Sequence, residues 1–188
     1  MNTIIAGIDE VGRGAWAGPI VAAAVILDTE IDGLTDSKLL SKTKREQLDQ
    51  IIRQVALDLF IAEVSASEID RLGLAEANRL VMRLALAGLK TRPNLVKIDG
   101  FSCQTDIPEE VIIHGDLLVP QISAASIVAK VYRDRLMYGL DTDDRYGFKL
   151  HVGYGTKLHQ ERLQKYGPSQ HHRMSFRPVK KIQLAELD

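Results

Sequence analysis

Thr3-Ile4-Ile5-Ala6-Gly7-Ile8-Asp9-Glu10-Val11-Gly12-Arg13-Gly14 is an apolar run that ends in two adjacent carboxylates and a glycine-flanked arginine. Six nearly continuous apolar residues fit a strand covered on both faces. Pro19 to Leu27 is a second such run, rich in Val, Ile and Ala, and the segment between them reads as the turn of a hairpin. Carboxylates at a strand end are hard ligands suited to Mg²⁺ or Mn²⁺. A glycine-rich turn lets backbone approach a ligand closely. Together they point to metal-dependent chemistry on a phosphate backbone. An ordinary solvated turn would look the same locally, so the rest of the chain has to decide.

Outward from this run, strands and helices mix. Thr43-Lys44-Arg45-Glu46 has the form of a capping box, with Thr43 at the N-cap, and Leu48, Ile51, Ile52, Val55 and Leu59 keep helical spacing behind it. Leu59 to Val64 reads as a strand, Ser67 to Leu72 as a short helix and Leu74 to Gly88 as an amphipathic helix ended near Pro93. Leu95 to Ile98 and Val111 to Ile113 are short buried strands. Ile122 to Met137 is the clearest helix, with Ala124, Ile127, Val128 and Val131 on one face and Ser123, Ser126, Lys130 and Arg133 on another. Thr156 to Tyr166 and Val179 to Leu187 follow as helices. The expected fold is α/β, a mixed sheet with helices on both faces. The expected division is a core over 1–140 and a basic extension over 141–188 packed on it as one structural unit.

The 188 residues are 45% hydrophobic and 26% charged, an ordinary globular mix. No apolar run reaches membrane-spanning length, and no export signal is visible at the N-terminus. Cys103 is the single cysteine, which excludes an internal disulfide and fits a reducing, cytoplasmic setting. The net charge of −1 hides an asymmetry: Arg145 to Lys181 holds nine Lys and Arg against one acid, Glu161. Tyr146, Phe148, Tyr154, Tyr166 and Phe176 interleave with these charges, the pattern of a surface that contacts phosphates and stacks on sugar or base. His151, His159, His171 and His172 lack zinc spacing and are assigned phosphate or base contacts.

Asp9, Asp99 and Asp116 each end or follow a short apolar strand. If those strands are neighbours, three carboxylates share one location with Glu10 beside them, outside the strand ends where α/β sheets bind ligands. Clustered carboxylates repel, and a divalent cation compensates them. Two such ions can clamp a phosphoryl transfer. Arg133 and Asp134 read as the wet face of their helix. Lys44 and Arg45 oppose the dipole at a helix start, a conflict that a bound phosphate would relieve.

The motifs, in order, resemble those of bacterial ribonuclease HII, the type 2 ribonuclease H family. They are Gly7 to Gly14, Gly18 to Val25, Asp36-Ser37-Lys38, Ile98-Asp99-Gly100, His114-Gly115-Asp116, Ile122 to Val131 with Arg133-Asp134, His151 to Thr156, and His172-Arg173 with Ser175-Phe176. The resemblance covers nearly the whole chain. It implies a ribonuclease H-like mixed central sheet with flanking helices and a C-terminal helical extension. The implied activity is metal-dependent endonucleolytic cleavage of the RNA strand in RNA–DNA hybrids, and cleavage 5′ of a single ribonucleotide in duplex DNA, serving ribonucleotide removal and RNA primer processing.

The same resemblance assigns the metal-binding and catalytic acids to Asp9, Glu10, Asp99 and Asp116, with Mn²⁺ or Mg²⁺ in a two-metal mechanism. It assigns the ribose-reading turn to Gly12, Arg13 and Gly14 and the junction-reading ring to Tyr154. Backbone of such a turn can hydrogen-bond the 2′-hydroxyl that separates RNA from DNA. Ser37, Lys38, Lys44, Ser126, Lys130 and Arg173 complete the expected nucleic-acid contacts. The chain departs from the family at Leu39 (often Lys), at Phe101 (often Asn) and at Pro168-Ser169-Gln170-His171-His172-Arg173 (often Pro-Ser-Pro-Leu-His-Arg). These departures bear on substrate affinity, not on the acids. Gln183-Leu184-Ala185-Glu186-Leu187 loosely resembles sliding-clamp-binding peptides, and the expected oligomeric state is a monomer. A general nuclease on the same fold would need the acids but not the Gly-Arg-Gly turn with Tyr154. A non-catalytic binding module would lack at least one acid.

Overall fold

The computed structural model describes residues 3–142 and 144–185, with side chains through 182. Five strands form one sheet: β1 (Ile5–Val11), β2 (Ile20–Ile26), β3 (Asp58–Val64), β4 (Leu95–Asp99) and β5 (Glu109–Ile112), in the order β3-β2-β1-β4-β5. β1 and β2 are the antiparallel hairpin, β3 pairs antiparallel to β2, and β4 and β5 continue parallel to β1. The helices are α1 (Lys42–Val55), α2 (Ala66–Leu72), α3 (Leu74–Ala87), α4 (Gly115–Leu118), α5 (Pro120–Leu140), α6 (Phe148–His151), α7 (Lys157–Tyr166) and α8 (Arg177–Ala185). The mixed sheet with helices on both faces is the expected fold class.

The period of two along β1 and β2 sorts their side chains between two cores. Ala6, Ile8, Ile20, Ala22 and Ala24 pack with Ile69 of α2 and Val81, Met82 and Ala85 of α3. Val21, Ala23 and Val25 pack on the other face with Leu48 and Ile52 of α1 and Ala124, Ile127 and Val128 of α5. Small residues on both sides let α5 lie close to the sheet. A Cβ on Gly7 would sit 2.2 Å from the carbonyl carbon of Gln121, in the first turn of α5. That approach brings Ser126 of α5 to the end of β1. Among the described residues, no helix is long and apolar enough to cross a membrane.

Three expectations are corrected. Ser41, not Thr43, caps α1: its hydroxyl accepts from the Lys44 N–H. Lys44 sits exposed in that first turn, while Arg45 turns inward and donates to the Ser37 and Leu40 carbonyls at 2.8 and 2.5 Å. The capping box belongs instead to Ser65 and Glu68 at the start of α2. Arg133 is no part of a wet face: it is fully buried, donating to the carbonyls of Pro19, Val152 and Ala17.

Residues after 140 form a third core. Tyr146, Phe148, Leu163 and Val179 pack with Ala17 and Met137, so Tyr146 and Phe148 are core residues and not stacking surface. The turn between β1 and β2 is stitched to this segment. Trp16 N–H donates to Gly153 O, Gly18 N–H to His171 O and Arg173 N–H to Trp16 O, each at 2.8 Å.

Candidate active site

Parallel pairing decides where the acids meet. Ile8 is in register with Ile98, so Asp9 and Asp99 are the next residues on adjacent parallel strands. Asp9 follows the Gly7 side of β1 toward α5, and Glu10 leaves from the opposite face toward Asn78 of α3. Asp116 arrives from α4, just beyond β5, after His114 takes a left-handed conformation at φ 59°. The Gly115 N–H donates to Asp99 Oδ1 at 2.8 Å and ties that arrival to β4.

A cleft of about 460 Å³ collects Asp9, Glu10 and Asp99 with Ser37, Ser126, Lys38, Lys130 and Tyr154. Asp116 joins through Lys38, whose Nζ lies 3.8 Å from both Asp116 Oδ2 and Asp36 Oδ1. The Ser126 and Ser37 hydroxyls lie 3.0 Å apart, and Lys130 pairs with Asp134 at 2.7 Å. Lys44 does not line this cleft. Asp36 was absent from the expected site, yet it accepts from the Lys38 N–H and shares that lysine with Asp116. Its place in the Asp36-Ser37-Lys38 motif was the signal.

The electrostatics are those of crowded carboxylates. Burial, then repulsion from Glu10 and Asp99, pushes Asp9 well above the ordinary aspartate range, against hydrogen bonds from Ser126 and the Glu10 N–H. Burial also raises Glu10, with Arg13 opposing and Asp99 reinforcing. Burial and then Asp36 and Asp99 raise Asp116. Burial would lower Lys38, but Asp36, Asp116, Asp9 and Asp99 together outweigh it and hold the ammonium charged. Among the described residues no three acids, His or Cys stand ready-arranged to hold an ion. The donor set nonetheless fits one: these are hard oxygen ligands whose mutual repulsion a divalent cation would relieve. Asp9, Glu10, Asp99 and Asp116 are the residues that would hold it.

The turn beside the acids is built from beneath. Gly12 has φ 89°, and a Cβ there would lie 2.1 Å from Arg133 Nε, so the buried guanidinium requires glycine. Gly14 differs: it is exposed, and a Cβ would meet nothing within 4 Å. Arg13 lies over the Phe101 ring at 4.6 Å. Arg173 donates to Gly18 O and Arg13 O, both at 2.9 Å, and is fully buried. Direct contact of Arg173 with nucleic acid is therefore corrected to support of the turn. Tyr154 is half-buried, with Arg133 5.6 Å from its ring centre.

Three of the four histidines expected to touch phosphate or base turn inward. His151, His159 and His172 are buried, and the His151 and His159 rings stack at 4.4 Å. Burial lowers His159 to about 4 and His172 to about 3. The unfolded chain takes up these protons near pH 6.5, before the folded one does. Their contribution is thus intact above about pH 6.5 and is lost as pH falls toward 4 for His159 and toward 3 for His172, at about 1.4 kcal/mol per pH unit per histidine. Urea titrations at stepped pH should show a shallower acid loss for His172→Gln than for the parent chain. Equal slopes would contradict the burial of a neutral ring.

The chain matches the family model described as Ribonuclease HII over residues 6–179. It is 51% identical over 181 residues to a ribonuclease HII of Burkholderia thailandensis, covering 94% of this chain and 85% of that one. Its fold is similar to ribonuclease H2 from Pyrococcus horikoshii, with a TM-score of 0.82 and 26% identity over 97% and 98% of the two chains. It is also similar to a chain in the PCNA:RNase HII complex from Archaeoglobus fulgidus, with a TM-score of 0.79 and 26% identity over 93% and 95%. The chain belongs to the ribonuclease HII family, and it is a hydrolase of phosphodiester bonds.

Proposed function

We propose that this protein is a metal-dependent endonuclease that cuts the RNA strand of RNA–DNA hybrids and cuts 5′ of single ribonucleotides in duplex DNA. The observation that carries the proposal is the β1–β4 register, which sets Asp9 beside Asp99 within a few residues of the Gly12-Arg13-Gly14 turn. Water adds to phosphorus and the bond to the upstream O3′ breaks, leaving a 3′-hydroxyl and a 5′-phosphate. Bound Mg²⁺ or Mn²⁺, two ions in the full site, supplies Lewis-acid stabilisation and lowers the pKa of the attacking water. Asp9, Glu10, Asp99 and Asp116 bind and orient. Lys38 and Lys130 offset phosphate charge, with Ser37 and Ser126 placing the backbone against α5. Lys44 is assigned a phosphate contact farther along the duplex.

Sugar choice falls to the turn and to Tyr154. Backbone of residues 12–14 hydrogen-bonds the 2′-hydroxyl. The Tyr154 ring packs on the next sugar, where a deoxyribose leaves room. Gly14 supports this reading, since nothing in the protein fills the space above it. Gly14→Ala is expected to leave the melting temperature nearly unchanged and to slow ribonucleotide-directed cleavage roughly tenfold by intruding on the close approach. A large loss of stability with unchanged cleavage would contradict it.

The chain is further proposed to act as a cytoplasmic monomer in ribonucleotide removal and primer processing, with residues 141–188 as an extension packed on a 1–140 core. A weak sliding-clamp contact through Gln183 to Leu187 is supported by the Archaeoglobus relative, solved with PCNA. The side chains of 183–185 and residues 186–188 lie outside the described residues, so that contact rests on sequence. Loss of clamp binding on deleting 183–188 is the expected result. For the reaction, a uniform RNA–DNA hybrid should be cut only with Mg²⁺ or Mn²⁺ present, and chelation should stop it. End analysis should find 3′-hydroxyls; 2′,3′-cyclic phosphate ends would overturn the mechanism.

A further inference from the structure

Three buried histidines hold their hydrogen bonds in one direction only. His159 Nδ1 lies 3.0 Å from the Tyr154 carbonyl, which can only accept, so this nitrogen carries the proton. His159 Nε2 is then bare and, 3.0 Å away, must accept from Nε2–H of His172. His172 Nδ1 accepts in turn from the Ser169 N–H at 2.9 Å, with the Ser169 hydroxyl also at 2.9 Å. His151 stacks on His159, accepts at Nδ1 from the Gly153 N–H and donates from Nε2 to Tyr146 O. Every imidazole nitrogen of the three is satisfied by one tautomer each, all neutral. The chain of donors runs from Ser169 through His172 and His159 and stops on the Tyr154 backbone.

We infer that His159 and His172 form a tautomer-locked relay that positions Tyr154, making both histidines positioning residues for recognition of the RNA–DNA junction. The relay connects the Ser169–Arg173 segment, where this chain departs from the family's pattern, to the residue assigned to the junction sugar. From the other side, Arg133 holds the Val152 carbonyl at 2.9 Å, so the segment carrying Tyr154 is fixed at both flanks. Neither histidine lines the cleft that holds Asp9, Glu10 and Asp99. Loss of the relay should therefore alter sugar discrimination and leave the metal-binding acids in place. The inference rests on the assignment of Tyr154 to the junction.

Asn and Gln separate this role from simple packing. The Asn amide nitrogen falls near the Nδ1 position of a histidine, and the Gln amide nitrogen near Nε2. His159→Asn preserves the donation to Tyr154 and His159→Gln loses it, yet Gln better fills the space of a histidine. The readout is the rate at one embedded ribonucleotide divided by the rate on a uniform hybrid, with the melting temperature beside it. The relay predicts that His159→Gln lowers this ratio roughly tenfold and His159→Asn changes it less than about threefold, whichever variant melts lower. For His172 the order reverses, with Gln tolerated over Asn. The opposite order at position 159 would overturn the relay. Imidazole ¹⁵N shifts should find Nδ1–H on His159 and Nε2–H on His172, and any other pair overturns it as well. Tyr154→Ala separates the two layers. If it leaves the ratio unchanged, the junction assignment fails even where the tautomers are as stated, and the positioning role falls with it. If it lowers the ratio while His159→Gln does not, the relay alone is wrong.

Discussion

Asp9→Asn is expected to reduce cleavage by at least about 10³-fold, roughly 4 kcal/mol of barrier, while leaving the metal-free protein folded and no less thermally stable. The amide keeps the shape of the carboxylate and an oxygen that can accept from the Glu10 N–H, now bonded at 2.8 Å. It removes a charge that burial, Glu10 and Asp99 all penalise. The same charge is what a divalent cation would use, so its loss weakens the site without weakening the fold. Paired measurements of single-turnover cleavage and melting temperature check this. A variant that melts well below the parent would mean that Asp9 serves the structure, and a variant that still cuts would remove it from the chemistry.

Gly7→Ala should be strongly destabilising although it adds a single methyl group. The added Cβ would lie 2.2 Å from Gln121 C and 2.4 Å from Ile122 N, both backbone atoms of α5, where no side chain can yield. Either β1 or the first turns of α5 must shift. Overpacking of this kind costs about 3 kcal/mol or more, a large share of a typical stability, and roughly 6–12 °C of melting temperature for a chain of this size. Activity should fall with stability, because the same displacement separates Asp9 from Ser126. Gly14→Ala is the control, with open space around its Cβ. Similar melting temperatures for the two variants would contradict the close packing of α5 on β1.

Much of this was legible in the sequence, for reasons that name its limits. β1 and β2 announce themselves as continuous apolar runs, since both are covered on both faces, whereas β5, expected as a buried strand at Val111 to Ile113, is an exposed strand at the sheet edge. The start of α1 is misplaced in the sequence reading because Thr43 and Glu46 have the spacing of a capping box, whereas the actual cap, Ser41, has no acid at the third position to mark it. Helical period identified the polar stripe of α5 but not what covers it. Arg133 is buried by carbonyls from residues 17, 19 and 152, contacts fixed only when the last third of the chain folds back. His151, His159, His172 and Tyr146 mislead for the same reason: local composition resembles a nucleic-acid surface, while long-range packing makes them core.

The site divides in the same way. Each acid could be placed at a strand exit from sequence alone, but the adjacency of Asp9 and Asp99 depends on parallel pairing across the helices between them. The motif resemblance supplied that step. Asp36 was visible in its motif yet carried no role until Lys38 was seen reaching both it and Asp116. Arg173 was assigned to substrate by its charge, when its two paired donors serve Gly18 and Arg13.

If chemistry and sugar recognition share one turn, the protein tests for RNA where it cuts. A single duplex tests it, with one strand made in three versions: one ribonucleotide, its deoxy counterpart, and its 2′-O-methyl form at the same position. Under single-turnover conditions with Mn²⁺ or Mg²⁺, the ribonucleotide version should be cut at the phosphate 5′ to it and the other two left intact. Comparable cutting of the deoxy duplex would contradict sugar recognition at this turn and make the protein a general nuclease on this fold.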